Sequence, residues 1–157
     1  MSHTDDPVLP AHPQGATLSW NRIVAWAGFA LGVYSGLVMG LWSFDGPVAV
    51  PAWLGAYADT SRRLARLGHI ALFGLGFLNL HLVTALGTAR MTPPSKQWAA
   101  GAMNFGNVLL PLTLVAAALV PACKYFLPVP ALSVAVAVTL TAIGVIRQNG
   151  KGARANR

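Results

Sequence analysis

The sequence predicts an all-α integral membrane protein, a four-helix up-and-down bundle, and three observations carry that expectation. Of 157 residues, 55% are hydrophobic and only 10% are charged, far from the roughly one-quarter charged residues of a soluble domain. Four runs, at about 21–43, 64–87, 99–120 and 130–147, approach the roughly 20 apolar residues that a bilayer crossing requires. Their ends carry Trp20, Trp42, Trp53, Tyr57, Trp98 and Tyr125, rings suited to headgroup depth.

In chain order, residues 1–19 are polar and hold Pro7, Pro10 and Pro13, together with His3 and His12. Too few apolar side chains are present to offset ordering entropy, so a flexible tail is expected there. A four-helix domain then occupies 20–148. Lipid cannot satisfy backbone polar groups, so the spans should be helices, and short links make neighbours antiparallel. Pro93-Pro94 and the stretch from Pro121 to Pro130 punctuate two of those links. The third, 44–61, is longest; Pro51, Ala52, Trp53, Leu54 and Tyr57 suggest a short interfacial turn, with Asp59 or Ser61 capping the next helix. Residues 149–157 read as a basic tail carrying Lys151, Arg154 and Arg157.

Eleven Lys and Arg against four acids would suggest nucleic acid in a soluble protein, but here the basic residues flank apolar runs and face lipid headgroups instead. Seven of them fall on the side of the termini and the 88–98 loop, and four, Arg62, Arg63, Arg66 and Lys124, on the other. That asymmetry predicts both termini in the cytoplasm of a bacterial-type inner membrane, although three arginines at the far end of the second span pull against it.

Composition narrows the chemistry. A single cysteine, Cys123, excludes an internal disulfide and any multi-cysteine metal site. The acids are Asp5, Asp6, Asp45 and Asp59, none within a span, and there is no glutamate, which removes carboxylate-based proton coupling. No Ser/His/Asp or Cys/His set and no phosphate-binding glycine loop is visible.

Four features remain. Gly28, Gly32, Gly36 and Gly40 recur every fourth residue, a bare groove where another backbone, or a flat ligand, can approach. His69 and His81 in the second span are candidate cofactor ligands, but helical geometry sets them about 120° and about 18 Å apart, too far to share one metal ion. Asn79, His81, Asn104 and Asn107 fall within about 4 to 8 Å of midspan on one side, an intramembrane polar layer that would clasp the second span to the third. Pro111 lies four residues after Asn107 and frees its carbonyl for another donor. Arg62, Arg63 and Arg66 form a basic patch whose position at a helix N-terminus calls for an anionic partner, lipid phosphate or Asp59 or else a cofactor propionate or a partner's acidic surface, and Arg62, Arg66, His69 and Phe73 share a face. Met39 lies near the depth of His69, which permits His/Met haem ligation.

The expectation that follows is a small, non-enzymatic polytopic protein acting as an accessory or assembly subunit, with lipid, other membrane subunits or further copies of itself as partners. Two alternatives stay open: a redox subunit binding haem b or quinone, and a small transporter with its site in the polar layer.

Overall fold

A computed structural model describes residues 13–43, 46–56 and 59–155. The polar stretch 1–12, with His3 and His12, and the anchor Tyr57 lie outside the described residues. Four long helices follow one another: α1, Pro13–Gly40; α2, Thr60–Thr88; α3, Pro93–Leu119; and α4, Pro128–Ala155. All four contain stretches long and apolar enough to cross a membrane. The fold is the expected all-α four-helix one, and successive helices run antiparallel: Gly32 of α1 meets Phe73 of α2, Asn79 of α2 meets Asn104 of α3, and Ser133 of α4 meets Ala102 of α3.

Each helix outruns its apolar stretch. Hydropathy marks only the part that lipid surrounds, whereas a helix continues into the interface because its hydrogen bonds are internal. Thus α1 begins at Pro13, inside the expected polar tail, and α4 continues through the expected basic tail to Ala155. Pro93 and Pro94 open α3 rather than break it, since the first turn has no use for their missing N–H groups. A short 3-10 turn, Pro121–Phe126, bridges α3 to α4. In the longest link, a second such turn, Ala52–Leu54, seats Leu54 against Ala65 and Ala118. Asp59 precedes α2, but its carboxylate does not cap the helix as expected; it turns back to accept from the Ala56 N–H at 2.7 Å. Gly55, at φ 66°, makes that reversal.

The helices are not arranged as four corners of a square. α2 and α3 form the middle, α1 packs on both, α4 packs chiefly on α3, and among the described residues α1 and α4 do not touch. The core is thin and built of small side chains: Ala99, Ala100, Met103 and Ala137 with Leu75, Leu82 and Leu86. Larger apolar residues such as Trp26, Leu31, Phe77, Leu112 and Ile146 face outward, the inverse of a soluble bundle and the expected state for helices whose solvent is lipid.

Candidate functional site

Three structural features hold the residues the sequence singled out. The first is a closed ring of amides. Asn21 Nδ2 donates to Asn79 Oδ1 at 2.7 Å, Asn79 Nδ2 to Asn104 Oδ1 at 3.1 Å, and Asn104 Nδ2 to Asn21 Oδ1 at 2.9 Å. The remaining hydrogens of Asn21 and Asn79 go to the carbonyls of Ala100 at 3.1 Å and of Asn21 at 3.2 Å. Asn21 and Asn79 are fully buried. α1, α2 and α3 are therefore tied at one level, and these two side chains have no donor left for a passing solute.

This ring differs from the expected polar layer in three ways. Asn79 and Asn104 meet, as anticipated, but their third partner is Asn21, the first residue of the expected span, which no sequence pattern had joined to them. His81 is not a member: it is exposed, and its Nδ1 hydrogen-bonds the Phe77 carbonyl of its own helix at 2.9 Å. Two residues turn a helix by about 200°, so the inward face of Asn79 is the outward face of His81. Asn107 is buried beside the ring's level, yet its Nδ2 has no hydrogen-bond partner among the described residues. Pro111, buried within α3, supplies no N–H to the Asn107 carbonyl, as expected.

The second feature is the seam between α1 and α2, where two patterns seen separately in the sequence meet. A Cβ added at Gly28 would stand 3.3 Å from the Leu72 carbonyl oxygen, at Gly32 2.7 Å from the Phe73 ring, and at Gly36 2.8 Å from His69 Cε1. Gly40 faces open space. So Phe73 and His69, from the shared face of α2, lie against Gly32 and Gly36. Gly76 answers from the other side, where an added Cβ would lie 2.7 Å from the Phe29 ring. Beyond the last glycine, Arg62, only 8% exposed, donates to the Trp42 carbonyl at 2.7 Å. This partner is a carbonyl, which the sequence had not suggested, just past the C-terminal end of α1, where a cation is favoured. Arg63 is exposed and Arg66 half-buried on the same turn and the next.

The third feature is a hollow of ≈ 410 Å³ at this end of the bundle, lined by Tyr34, Ser35, Met39, Trp42, Trp53 and His69 with aliphatic residues of α2 and α3. Ser35 Oγ lies 3.0 Å from His69 Nδ1, and the imidazole packs edge-on to Phe73 with centroids 5.3 Å apart. His81 borders a different hollow of ≈ 360 Å³, between α2 and α4. The two histidines thus serve separate places and do not form a pair. At the opposite end of the bundle a hollow of ≈ 520 Å³ is lined by Arg90, Thr92, Ser95 and Arg147, a basic grouping no sequence pattern had joined.

Neither a family model, nor a curated protein, nor a solved structure matches the chain.

Proposed function

We propose that the protein is an accessory or assembly subunit of a larger membrane complex, working by helix packing and without bond-making chemistry of its own. The observation that carries this reading is the separation of α1 from α4. Each keeps a long apolar face turned away from the α2–α3 pair, with Trp26, Leu31 and Tyr34 exposed on α1 and Leu132, Val136 and Ile146 on α4. Meanwhile Asn21, Asn79 and Asn104 are spent on one another, which suits a rigid scaffold better than a conduit and weighs against the transport reading. Helices associate in lipid through such packing faces rather than through hydrophobic exclusion. Within this proposal the membrane is a bacterial-type inner membrane and both termini are cytoplasmic. The gathering of Arg90 and Arg147 around one hollow at the end where α2 passes into α3 supports that orientation.

Native gel electrophoresis after mild solubilisation tests the reading. The chain should migrate in a complex with at least one different polypeptide. A ladder made of this chain alone would replace the heteromeric reading with a homo-oligomer, and migration as a single chain would defeat both. Reporter fusions at the C-terminus and within 88–98 should give cytoplasmic signals; periplasmic signals at both would reverse the orientation.

A further inference from the structure

Ser35 has one hydroxyl proton and two neighbours: the Gly32 carbonyl at 3.0 Å and His69 Nδ1 at 3.0 Å. A carbonyl only accepts. Both contacts are hydrogen bonds together only when Ser35 donates to Gly32 and His69 donates from Nδ1–H to Ser35. In that tautomer Nε2 carries the lone pair. No protein group among the described residues bonds to it, and the ring is held by Phe73 on one side and by the bare backbone of Gly36 on another. His69 lines the ≈ 410 Å³ hollow, and in this tautomer its second ring nitrogen is a hydrogen-bond acceptor.

The rest of the wall restricts what that acceptor can meet. The hollow is of the size that holds a small organic ligand. Its lining includes the rings of Tyr34, Trp42 and Trp53 and is otherwise aliphatic apart from Ser35, His69 and the Met39 thioether. Arg62, Arg63 and Arg66 are absent from it, so an anionic headgroup would find no counter-charge, and a sugar would leave most of its hydroxyls unpaired. What fits is a flat, neutral ring soluble in lipid and bearing a hydroxyl that donates. Indole and phenol rings favour an aromatic partner over a saturated one.

We infer that this hollow binds the head of a lipid-soluble quinol, one phenolic hydroxyl donating to His69 Nε2 while the tail lies in the surrounding lipid. The tautomer fixed by Ser35 then makes the site selective for redox state. The oxidised quinone has only acceptor oxygens and meets the Nε2 lone pair without a proton between them.

The experiment is a titration of the purified full chain in lipid nanodiscs with decylubiquinol and, separately, decylubiquinone, followed by quenching of tryptophan fluorescence. The quinol should quench saturably with a Kd about tenfold or more below that of the quinone, the worth of about one hydrogen bond. His69→Leu should weaken quinol binding by a similar factor, and Ser35→Ala should narrow the quinol-to-quinone preference by freeing the tautomer, with little loss of quinone binding. Non-saturating quenching that is equal for both redox forms would mean partition into lipid and overturn the proposal. So would displacement of the quinol by a sterol at equal affinity, since the site would then read shape and not a phenol. The comparison of redox forms on the wild-type chain stands even if a variant fails to fold. Native-gel migration is read in parallel, so that loss of quinol binding and loss of assembly are scored separately.

Discussion

Asn21 and Asn79, on α1 and α2, hold each other from both ends: the Asn21 amide donates to the Asn79 side-chain oxygen at 2.7 Å, and the Asn79 amide donates back to the main-chain oxygen of Asn21 at 3.2 Å. A side chain that grips both the side chain and the backbone of its partner fixes rotation as well as approach. With Asn104 closing the ring, three helices share one register.

Replacing Asn79 by Leu removes its three bonds and leaves the Asn104 oxygen unpaired, which should cost about 3 to 5 kcal/mol given about 0.6 kcal/mol per intramembrane bond plus about 1 to 3 kcal/mol for the orphaned acceptor. In a double-mutant cycle with Asn21→Leu the coupling should be about 1 to 2 kcal/mol. Asn107→Leu is the contrast: its amide nitrogen has no partner among the described residues, so removing it should be neutral or raise stability by about 1 kcal/mol. Unfolding in mixed micelles, followed by circular dichroism, reads the wild type and all four variants. Equal losses for Asn79→Leu and Asn107→Leu would show that the ring holds nothing in particular.

How much of this was legible in the sequence depends on which coordinate of a helix the sequence reveals. Hydropathy located all four spans, and depth bookkeeping joined Asn79 to Asn104. It missed Asn21 because a span starting at residue 21 puts that residue about 16 Å from midspan, whereas a helix from Pro13 to Gly40 puts it at about 8 Å. Depth also grouped His81 with Asn79, although the angle between them was computable and sends His81 to the far side. For Asn104 and Asn107, about 60° apart on α3, neither depth nor angle decides. What separates them is whether a partner amide stands opposite, and that depends on how α1 leans across α2 and α3. The glycine row and the Phe73/His69 face were each visible; that they meet follows from antiparallel pairing and a register only the fold supplies.

The glycine seam contains its own control. Gly32→Leu drives a side chain into the Phe73 ring and Gly36→Leu into the His69 ring, and each should cost about 1 to 3 kcal/mol or more in overpacking. A Cβ added at Gly40 meets nothing within 4 Å, so Gly40→Leu should fall within about 0.5 kcal/mol of wild type. Thermal unfolding in detergent distinguishes them. A uniform loss along the row would indicate a contact with another chain, since leucine's better helix propensity acts in the opposite direction, and not the Gly32–Phe73 and Gly36–His69 approaches.

His81 should be nearly silent in stability. Among the described residues its one hydrogen bond runs along its own helix to the Phe77 carbonyl, and its side chain is exposed. His81→Leu should therefore change unfolding by less than about 0.5 kcal/mol, where membership of the polar layer would have implied about 1 to 3 kcal/mol. A larger loss in the purified chain would return His81 to the interior and contradict the packing of α2 described above.

Arg62 tests whether a cation at an unfavourable helix end can be held by a neighbouring one. At the N-terminus of α2 its charge opposes that helix's dipole, but the side chain reaches the carbonyl of Trp42, just beyond α1, where the dipole has the other sign. Arg62→Gln shortens the reach and removes the charge, and a buried charge-assisted bond of this kind is worth about 1.5 to 3 kcal/mol. Arg63→Gln, exposed on the adjacent position, supplies the matched loss of charge without loss of that bond and should cost less than about 0.5 kcal/mol. Tryptophan emission adds a local readout, because Trp42 packs against the small cluster of Leu54, Ala65 and Ala118 that Arg62 helps to close. Arg62→Gln should red-shift that emission as the ring meets more water, while Arg63→Gln leaves it in place. Identical behaviour of the two variants in both stability and emission would reduce the arginine cluster to its interaction with headgroups.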